Sequence, residues 1–420
     1  MVKGRIVSAS FDVFPAPKGA STHIEAFAEI LGKKFGSVDL ITVENPDLEW
    51  KSESTRILDR LAVFGVQHHA LVCHGRDMIA RALMFRSRIA HWLKDQARAN
   101  VIHVRSIFEG FPIAKRKAEL CDYFVYECNG LPSIELKYHY AQVAEDSDLL
   151  EKLRFQENTC LRAADLIVTP SAVTAQHLKS RGISGSKIRV IPNGVDLDTF
   201  TYQKPNASKE GELKILYCGT MTVWQGVHHA IEALKLYRRD APATLTLVGP
   251  VKKKQRRKML DQIQAQGLSP YVQILDPVSK PELARLHHAS DVVLVPLPAN
   301  DRNTVQGCCP LKFLEAMATG TPVVVSELDV TRALVADESQ AVFVRPNSAK
   351  AIKDGLFRFR DEPGLAQQVS QAARHHIEEN FQWIYVQAAL VNAYEEMFQG
   401  ALTASKASTT TFSASSSFRD

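Results

Sequence analysis

The residue types and spacing best suited to chemistry lie between Gln306 and Val324, where Lys312 and Glu315 stand three positions apart. The run reads as a loop, a two-turn helix, a C-capping Gly320 and a buried strand led by Pro322. On a helix of 3.6 residues per turn, Glu315 is i+4 from Leu311 and i−3 from Ala318, which predicts that it shares the inward stripe. A carboxylate there is costly unless something hydrogen-bonds to it, and an acid without an evident partner is a site candidate. Sugar or ribose hydroxyls are donors that an ionised carboxylate can hold two at a time. The other reading is a structural pair with Lys312, worth a few tenths of a kcal/mol. Spacing alone leaves both open.

Positioning such groups requires elements, and their rhythm is regular. Apolar, strand-length runs are predicted near Arg5–Ser10, Val38–Val43, Val101–Ser106, Tyr123–Cys128, Leu166–Ser171 and Ile188–Pro192. A second series follows near Lys214–Gly219, Thr244–Gly249, Val272–Asp276, Val292–Leu297, Thr321–Ser326 and Ala341–Val344. Continuously apolar strands separated by amphipathic stretches imply parallel sheets covered on both faces, and two such series imply two doubly wound α/β domains. The halves also begin alike. After the first strand, Lys18-Gly19-Ala20-Ser21 opens a helix with the stripe Ile24, Phe27, Ala28 and Leu31. In the second half, Thr220–Gly226 opens one with Val227, Ala230, Ile231 and Leu234. A glycine after the first strand lets the backbone approach a bound group, and a helix start offers free N–H donors to an anion. Glycines that merely turn the chain are the plainer alternative. The expected boundaries are 1–200 and 201–383, with a last helix, 384–400, completing the first domain. Residues 403–420, mostly Ser, Thr and Ala, are expected to be disordered, and the sequon at Asn206 is expected to be chance.

Composition removes several classes. At 420 residues and about 150 per domain, two or three domains are expected. With 45% hydrophobic and 23% charged residues the chain is neither disordered nor collagenous. A net charge of +5 is too small a bias to argue nucleic-acid binding. No apolar run approaches the roughly 18 residues of a membrane span. The start at Met1-Val2-Lys3-Gly4-Arg5 does not read as a signal peptide. Seven scattered cysteines without a C-x-x-C pair fit reduced thiols in a cytoplasmic protein and no zinc site. The histidine pairs 68/69, 228/229, 287/288 and 375/376 show no third ligand at a useful spacing and read as structural or exposed.

The run Pro310–Val325 resembles the retaining glycosyltransferases of family 4 (glycosyltransferase group 1, GT-B fold). So do Ile191-Pro192-Asn193-Gly194-Val195-Asp196, Ala164–Ser171 and the Pro15–Gly19 loop. The resemblance extends over residues 1 to about 400. It implies two Rossmann-like domains facing each other across a cleft, a nucleotide-sugar donor held mainly by the second, and an acceptor on the first. It also implies a last helix returning to the first domain, and no metal or other cofactor. Position by position, Glu315 matches the second acid of the family's E-x7-E motif, which grips the ribose hydroxyls. The first acid would fall at Gly307, and the sequence instead resembles a sub-branch with Pro310-Leu311-Lys312 before the Glu. The family's diphosphate-binding Arg and Lys would fall at Thr220 and Gln225. A leaving diphosphate still needs its charge stabilised. Lys312 and the backbone N–H groups around Pro310–Phe313 are assigned that role, aided by the Gly219–Gly226 loop; Gly19, Val278 and Asn303 complete the donor side.

Retention in this family is explained by front-face attack, with a donor phosphate oxygen taking the acceptor proton. The protein then supplies positioning and charge stabilisation. Acceptor-side candidates are His23, Arg105, Glu127 and Asn129, and Glu127 is carried as a catalytic candidate with Lys312 and Glu315. Strand C-termini of open parallel sheets are where ligands bind, which suits Glu127 and Asn129; His23 reads as a solvated helix residue. The expected acceptor is a glycan, a lipid-linked glycan or a small molecule. Six cations within Lys252–Lys258 could meet anionic lipid at the inner membrane face, and Asp77–Leu93 is a basic amphipathic helix that either does likewise or covers the sheet. The alternatives are a sugar-nucleotide epimerase and a silent scaffold, the latter suggested by the charges missing at 220, 225 and 307. An NAD dehydrogenase is disfavoured, since neither half has G-x-G-x-x-G after its first strand.

Overall fold

The two series of apolar runs become two separate parallel sheets in this computed structural model, which describes residues 4–45, 51–205 and 211–400. The first contains β1 (Gly4–Val13), β2 (Gly36–Val43), β3 (Val66–Leu71), β4 (Ala99–Val104), β5 (Cys121–Glu127), β6 (Leu166–Thr169) and β7 (Ile188–Val190). Its spatial order is β3-β2-β1-β4-β5-β6-β7, and its pairings are parallel. The second contains β8 (Leu213–Cys218), β9 (Ala243–Val248), β10 (Val272–Leu275), β11 (Val292–Val295), β12 (Val323–Ser326) and β13 (Val342–Val344). Its order is β10-β9-β8-β11-β12-β13, again parallel.

Consecutive residues such as Val101 and Ile102, or Val293 and Leu294, are fully buried, so both faces of each sheet are covered. The two predicted stripes hold: Ile24, Phe27, Ala28 and Leu31 are buried in the first, and Val227, Ala230, Ile231 and Leu234 in the second. In each sheet the order reverses beside the first strand, between β1 and β4 and between β8 and β11. In doubly wound sheets that switch point, at the strand C-termini, is where ligands bind.

The chain divides into two compact units, one running to Pro192 and resuming at Val386, the other running from Asn193 to Tyr385. The boundary therefore falls before residue 200, where polar composition had placed it. Hydrogen bonds explain the difference. The Asn193 side-chain amide donates to the Cys309 carbonyl at 2.7 Å, and the Val195 backbone N–H donates to the Phe381 carbonyl at 2.7 Å. Gln203 N–H donates to the Thr319 carbonyl at 3.0 Å, so residues 193–203 belong to the second unit. Helix Trp383–Phe398 gives its later residues to the first unit, where Leu390 and Tyr394 are buried. The segment 403–420 and the sequon at Asn206 lie outside the described residues. Among the described residues no helix is long and apolar enough to cross a membrane.

Candidate active site

In the second unit, the site is assembled at the C-terminal ends of β8 and β11. Helix Leu311–Thr319 begins without a side-chain cap, behind Pro310, and ends on Gly320 in the left-handed conformation. It carries Lys312 inward, only 7% exposed. The ammonium lies 4.3 Å from the centre of the Tyr217 ring, donates to Gln225 Oε1 at 2.5 Å and reaches the Tyr217 hydroxyl at 3.3 Å. All of these partners are neutral. Burial lowers the Lys312 ammonium to about 8, against smaller opposing effects from Cys218, Cys308 and Glu315. Glu315, one turn on, is half-buried and takes neither a hydrogen bond nor an ion pair from the described residues. Burial raises its carboxyl to about 7, while Lys280 and Lys312 pull the other way. The structural pairing of Glu315 with Lys312 is thus not made; the lysine turns to Gln225.

The glycines earn their positions by contact. Gly219 has φ of 123°, and a Cβ there would stand 3.4 Å from Cε and Nζ of Lys312. Gly226, which begins helix Val227–Tyr237, has φ of 74°, and a Cβ would fall 1.9 Å from the Pro296 carbonyl oxygen at the end of β11. Gly226→Ala should therefore cost more than the about 1–3 kcal/mol of a residue forced into a sparsely populated conformation, because the added methyl also meets the Pro296 carbonyl. Urea unfolding would register it as a lower midpoint.

Other candidates are placed as follows. Thr220 is exposed, and its carbonyl accepts from the Tyr217 hydroxyl at 2.9 Å. In the same loop the buried Thr222 hydroxyl has no hydrogen-bond partner among the described residues. Val278 is half-buried beyond β10, and Leu311 half-buried at the helix start. Asn303 is fully buried and donates to the Trp224 and Pro298 carbonyls at 3.0 and 2.9 Å. With both donors committed, its amide nitrogen braces the loop. Arg302 was missed by spacing: it is buried, stacks 4.8 Å from the Trp224 ring and donates to the Gly307 carbonyl at 2.6 Å. It puts a cation where the family's first acid is absent. Five of the six cations in Lys252–Lys258 are exposed, and the sixth, Arg256, is tied to Asp276 at 2.8 Å. Helix Met78–Lys94 buries Phe85, Ile89 and Leu93 in the first unit's core, so it covers the sheet while leaving Ile79 and Leu83 exposed.

In the first unit, Gly19 is exposed at the start of helix Gly19–Phe35, and the acceptor-side candidates converge on one buried carboxylate. Glu127, 1% exposed at the end of β5, accepts from Arg105 Nε at 2.9 Å, and its Oε1 also lies 3.0 Å from His23 Nε2. His103 Nε2 reaches the other oxygen at 3.1 Å, and the Asn129 amide donates as well. Burial alone would raise this carboxyl; Arg105, His23 and His103 together hold it well below the usual carboxylate range. Arg105 continues to Asp12 at 3.2 Å, and Asp12 to Lys18 at 3.2 Å.

One expectation is corrected here: His23 is 3% exposed, not solvated, because its helix packs it onto Phe27 and Glu127. Glu127, carried as a catalytic candidate, has both oxygens occupied by protein partners. His103 and Asp12 were overlooked. His103 lies two residues before Arg105, a separation that puts strand neighbours on one face, and Asp12 ends β1 at the switch point.

Comparison with known proteins agrees with this architecture. The family model for Glycosyltransferase Family 4 matches residues 17–199, and the one for glycosyl transferases group 1 matches residues 198–376. The chain belongs to this family of glycosyltransferases. Glycogen synthase of Mycobacterium tuberculosis is 28% identical over 242 residues, covering 57% of this chain and 56% of that protein. D-inositol 3-phosphate glycosyltransferase of Paenarthrobacter aurescens is 26% identical, covering 57% and 59%. The chain thus spans less than two thirds of either relative's length. Among solved structures, sucrose-phosphate synthase from Thermosynechococcus elongatus matches with a TM-score of 0.74 at 20% identity, over 94% of this chain and all of that one. HepE from Anabaena, solved in complex with UDP-glucose, matches with 0.72 at 16% identity, over 94% of this chain and 100% of that one. Both show the fold: two Rossmann-like units of the GT-B class.

Proposed function

We propose that the chain moves a hexose from a nucleoside-diphosphate sugar to a glycan, lipid-linked or small-molecule acceptor, with retention of anomeric configuration and without a metal in the transfer step. The observation that carries this reading is Glu315: a half-buried carboxyl with no hydrogen bond among the described residues, one turn from a buried cation whose own hydrogen-bond partners are neutral. Such a pair suits a ligand bearing hydroxyl donors at one end and a diphosphate at the other. Lys312 would stabilise the charge that develops as the diphosphate leaves, replacing the charges absent at Thr220 and Gln225. Gln225 holds the ammonium in place over Gly219. On the first unit, Arg105, Asp12 and Lys18 form the acceptor-side surface, aimed from below by Glu127. The reading is of a cytoplasmic enzyme that meets anionic headgroups through the exposed cations around Lys253.

A thermal-shift panel of nucleoside diphosphates tests donor recognition directly. At least one should stabilise the wild type. Glu315→Gln should bind that nucleotide about 10–100-fold more weakly, the worth of hydrogen bonds to a charged group. Equal affinity in the variant would remove Glu315 from the ribose grip.

A further inference from the structure

Behind the proposed donor site, three ligating side chains from distant parts of the sequence come together. Cys218 ends β8, His287 sits in the last turn of helix Lys280–His288, and Glu315 lies in helix Leu311–Thr319. One ligating atom from each lies within 4.8 Å of the other two. The Cys218 Sγ to His287 Nε2 separation is 3.7 Å. Two ligands on one tetrahedral zinc, at about 2.3 Å for sulfur and about 2.0 Å for nitrogen, stand about 3.5 Å apart. The match is close, and little else occupies these atoms. His287 is fully buried, and its Nε2, the ring nitrogen turned towards Cys218, faces only that thiol. Burial pushes the ring down to about 3, which keeps it in the neutral form that ligates metals.

We propose that Cys218, His287 and Glu315 form a binding site for zinc or another thiophilic divalent cation, and that filling it shuts the donor site by taking the Glu315 carboxylate. The second half rests on the reading of Glu315 as the ribose grip. On binding, metal–sulfur, metal–nitrogen and metal–oxygen bonds form, and the thiol proton leaves to solvent. Burial raises that thiol to about 12, so the cation must displace the proton, as metals do at coordinating thiols. Thiolate and carboxylate together balance the two positive charges of the cation, which leaves the filled site neutral beside the ammonium groups of Lys280 and Lys312. The fourth position stays open, as in sites that exchange ligands.

The test is a Co2+ titration of the full chain, followed by thiolate-to-cobalt charge-transfer absorption. One equivalent should develop the band, Cys218→Ser should abolish it, and His287→Asn should weaken cobalt binding by about tenfold or more. Circular dichroism checks that both variants fold, and either one alone is informative. No band in the wild type, or a band that persists in Cys218→Ser, overturns the site. For the second half, one equivalent of Zn2+ should remove the thermal stabilisation given by the best nucleoside diphosphate. Cys218→Ala should keep that stabilisation, which also controls for chelation of zinc by the nucleotide itself. A cobalt band with nucleotide stabilisation undiminished by zinc would leave the metal site standing and overturn the blockade.

Discussion

Lys312→Met should lower kcat about 10²–10³-fold, the usual loss when a charge-stabilising donor is removed, and should leave the unliganded protein more stable than the wild type. Both effects come from one cause. The ammonium is buried among a tyrosine ring, an amide oxygen and a glycine, with no carboxylate bonded to it. That environment suits a lysine waiting for an anion and penalises it until the anion arrives. The fall from 10.5 to about 8 corresponds to about 3 kcal/mol carried by the folded state at neutral pH. Below pH 8 the amine is charged both folded and unfolded, and the cost is present in full. Between about 8 and 10.5 the folded protein sheds its proton first, so wild-type stability gains with rising pH across that window, while Lys312→Met shows no such gain. Urea titrations at pH 7 and 10 measure this.

Activity should respond with the opposite sense. kcat/KM should fall above about pH 8 as Lys312 loses its charge, and below about pH 7 as Glu315 gains a proton. Because the two groups interact, the limbs belong to the pair. A Lys312→Met protein with near-normal kcat would end its assignment to the leaving diphosphate.

Much of this architecture is legible in the sequence because parallel strands buried on both faces must be continuously apolar. Runs such as Val292–Val295 have no competing reading at that length. The strand that escaped, Val66–Leu71, reads Val-Gln-His-His-Ala-Leu and sits at the sheet edge, where one flank needs no apolar cover. The helix carrying Lys312 and Glu315 is equally legible from its glycine cap and its stripe. What spacing could not supply is which group each charge faces. Gln225 and Lys312 are 87 residues apart, and nothing in either segment foretells their hydrogen bond. Cys218 and His287, 69 residues apart, escaped any search for metal ligands because such searches read short intervals. Glu127 shows the same limit from the other side: its place at a strand end suggests chemistry, and only tertiary packing brings the four side chains that saturate it.

That saturation gives the largest expected effect on stability. Glu127→Ala should destabilise the first unit by about 3–5 kcal/mol, because it strands the buried Arg105 guanidinium without the carboxylate nearest it. Arg105 would keep only Asp12, and His23 and His103 would face a cavity. Glu127→Gln keeps the volume and removes the charge, so it should recover part of the loss and no more. The pH dependence has a definite sign. The folded carboxyl lies well below its ordinary 4.5, so its stabilisation is complete above that value and is lost as pH falls through the folded value. Acid unfolding of the wild type should therefore be steeper than that of Glu127→Gln. Activity separates positioning from proton transfer. If Glu127 aims Arg105, the Gln variant should show a raised acceptor KM, lowered stability and an unshifted pH profile. A loss of kcat with stability intact would instead make it the base, and the crowding around its oxygens would then have to open during turnover.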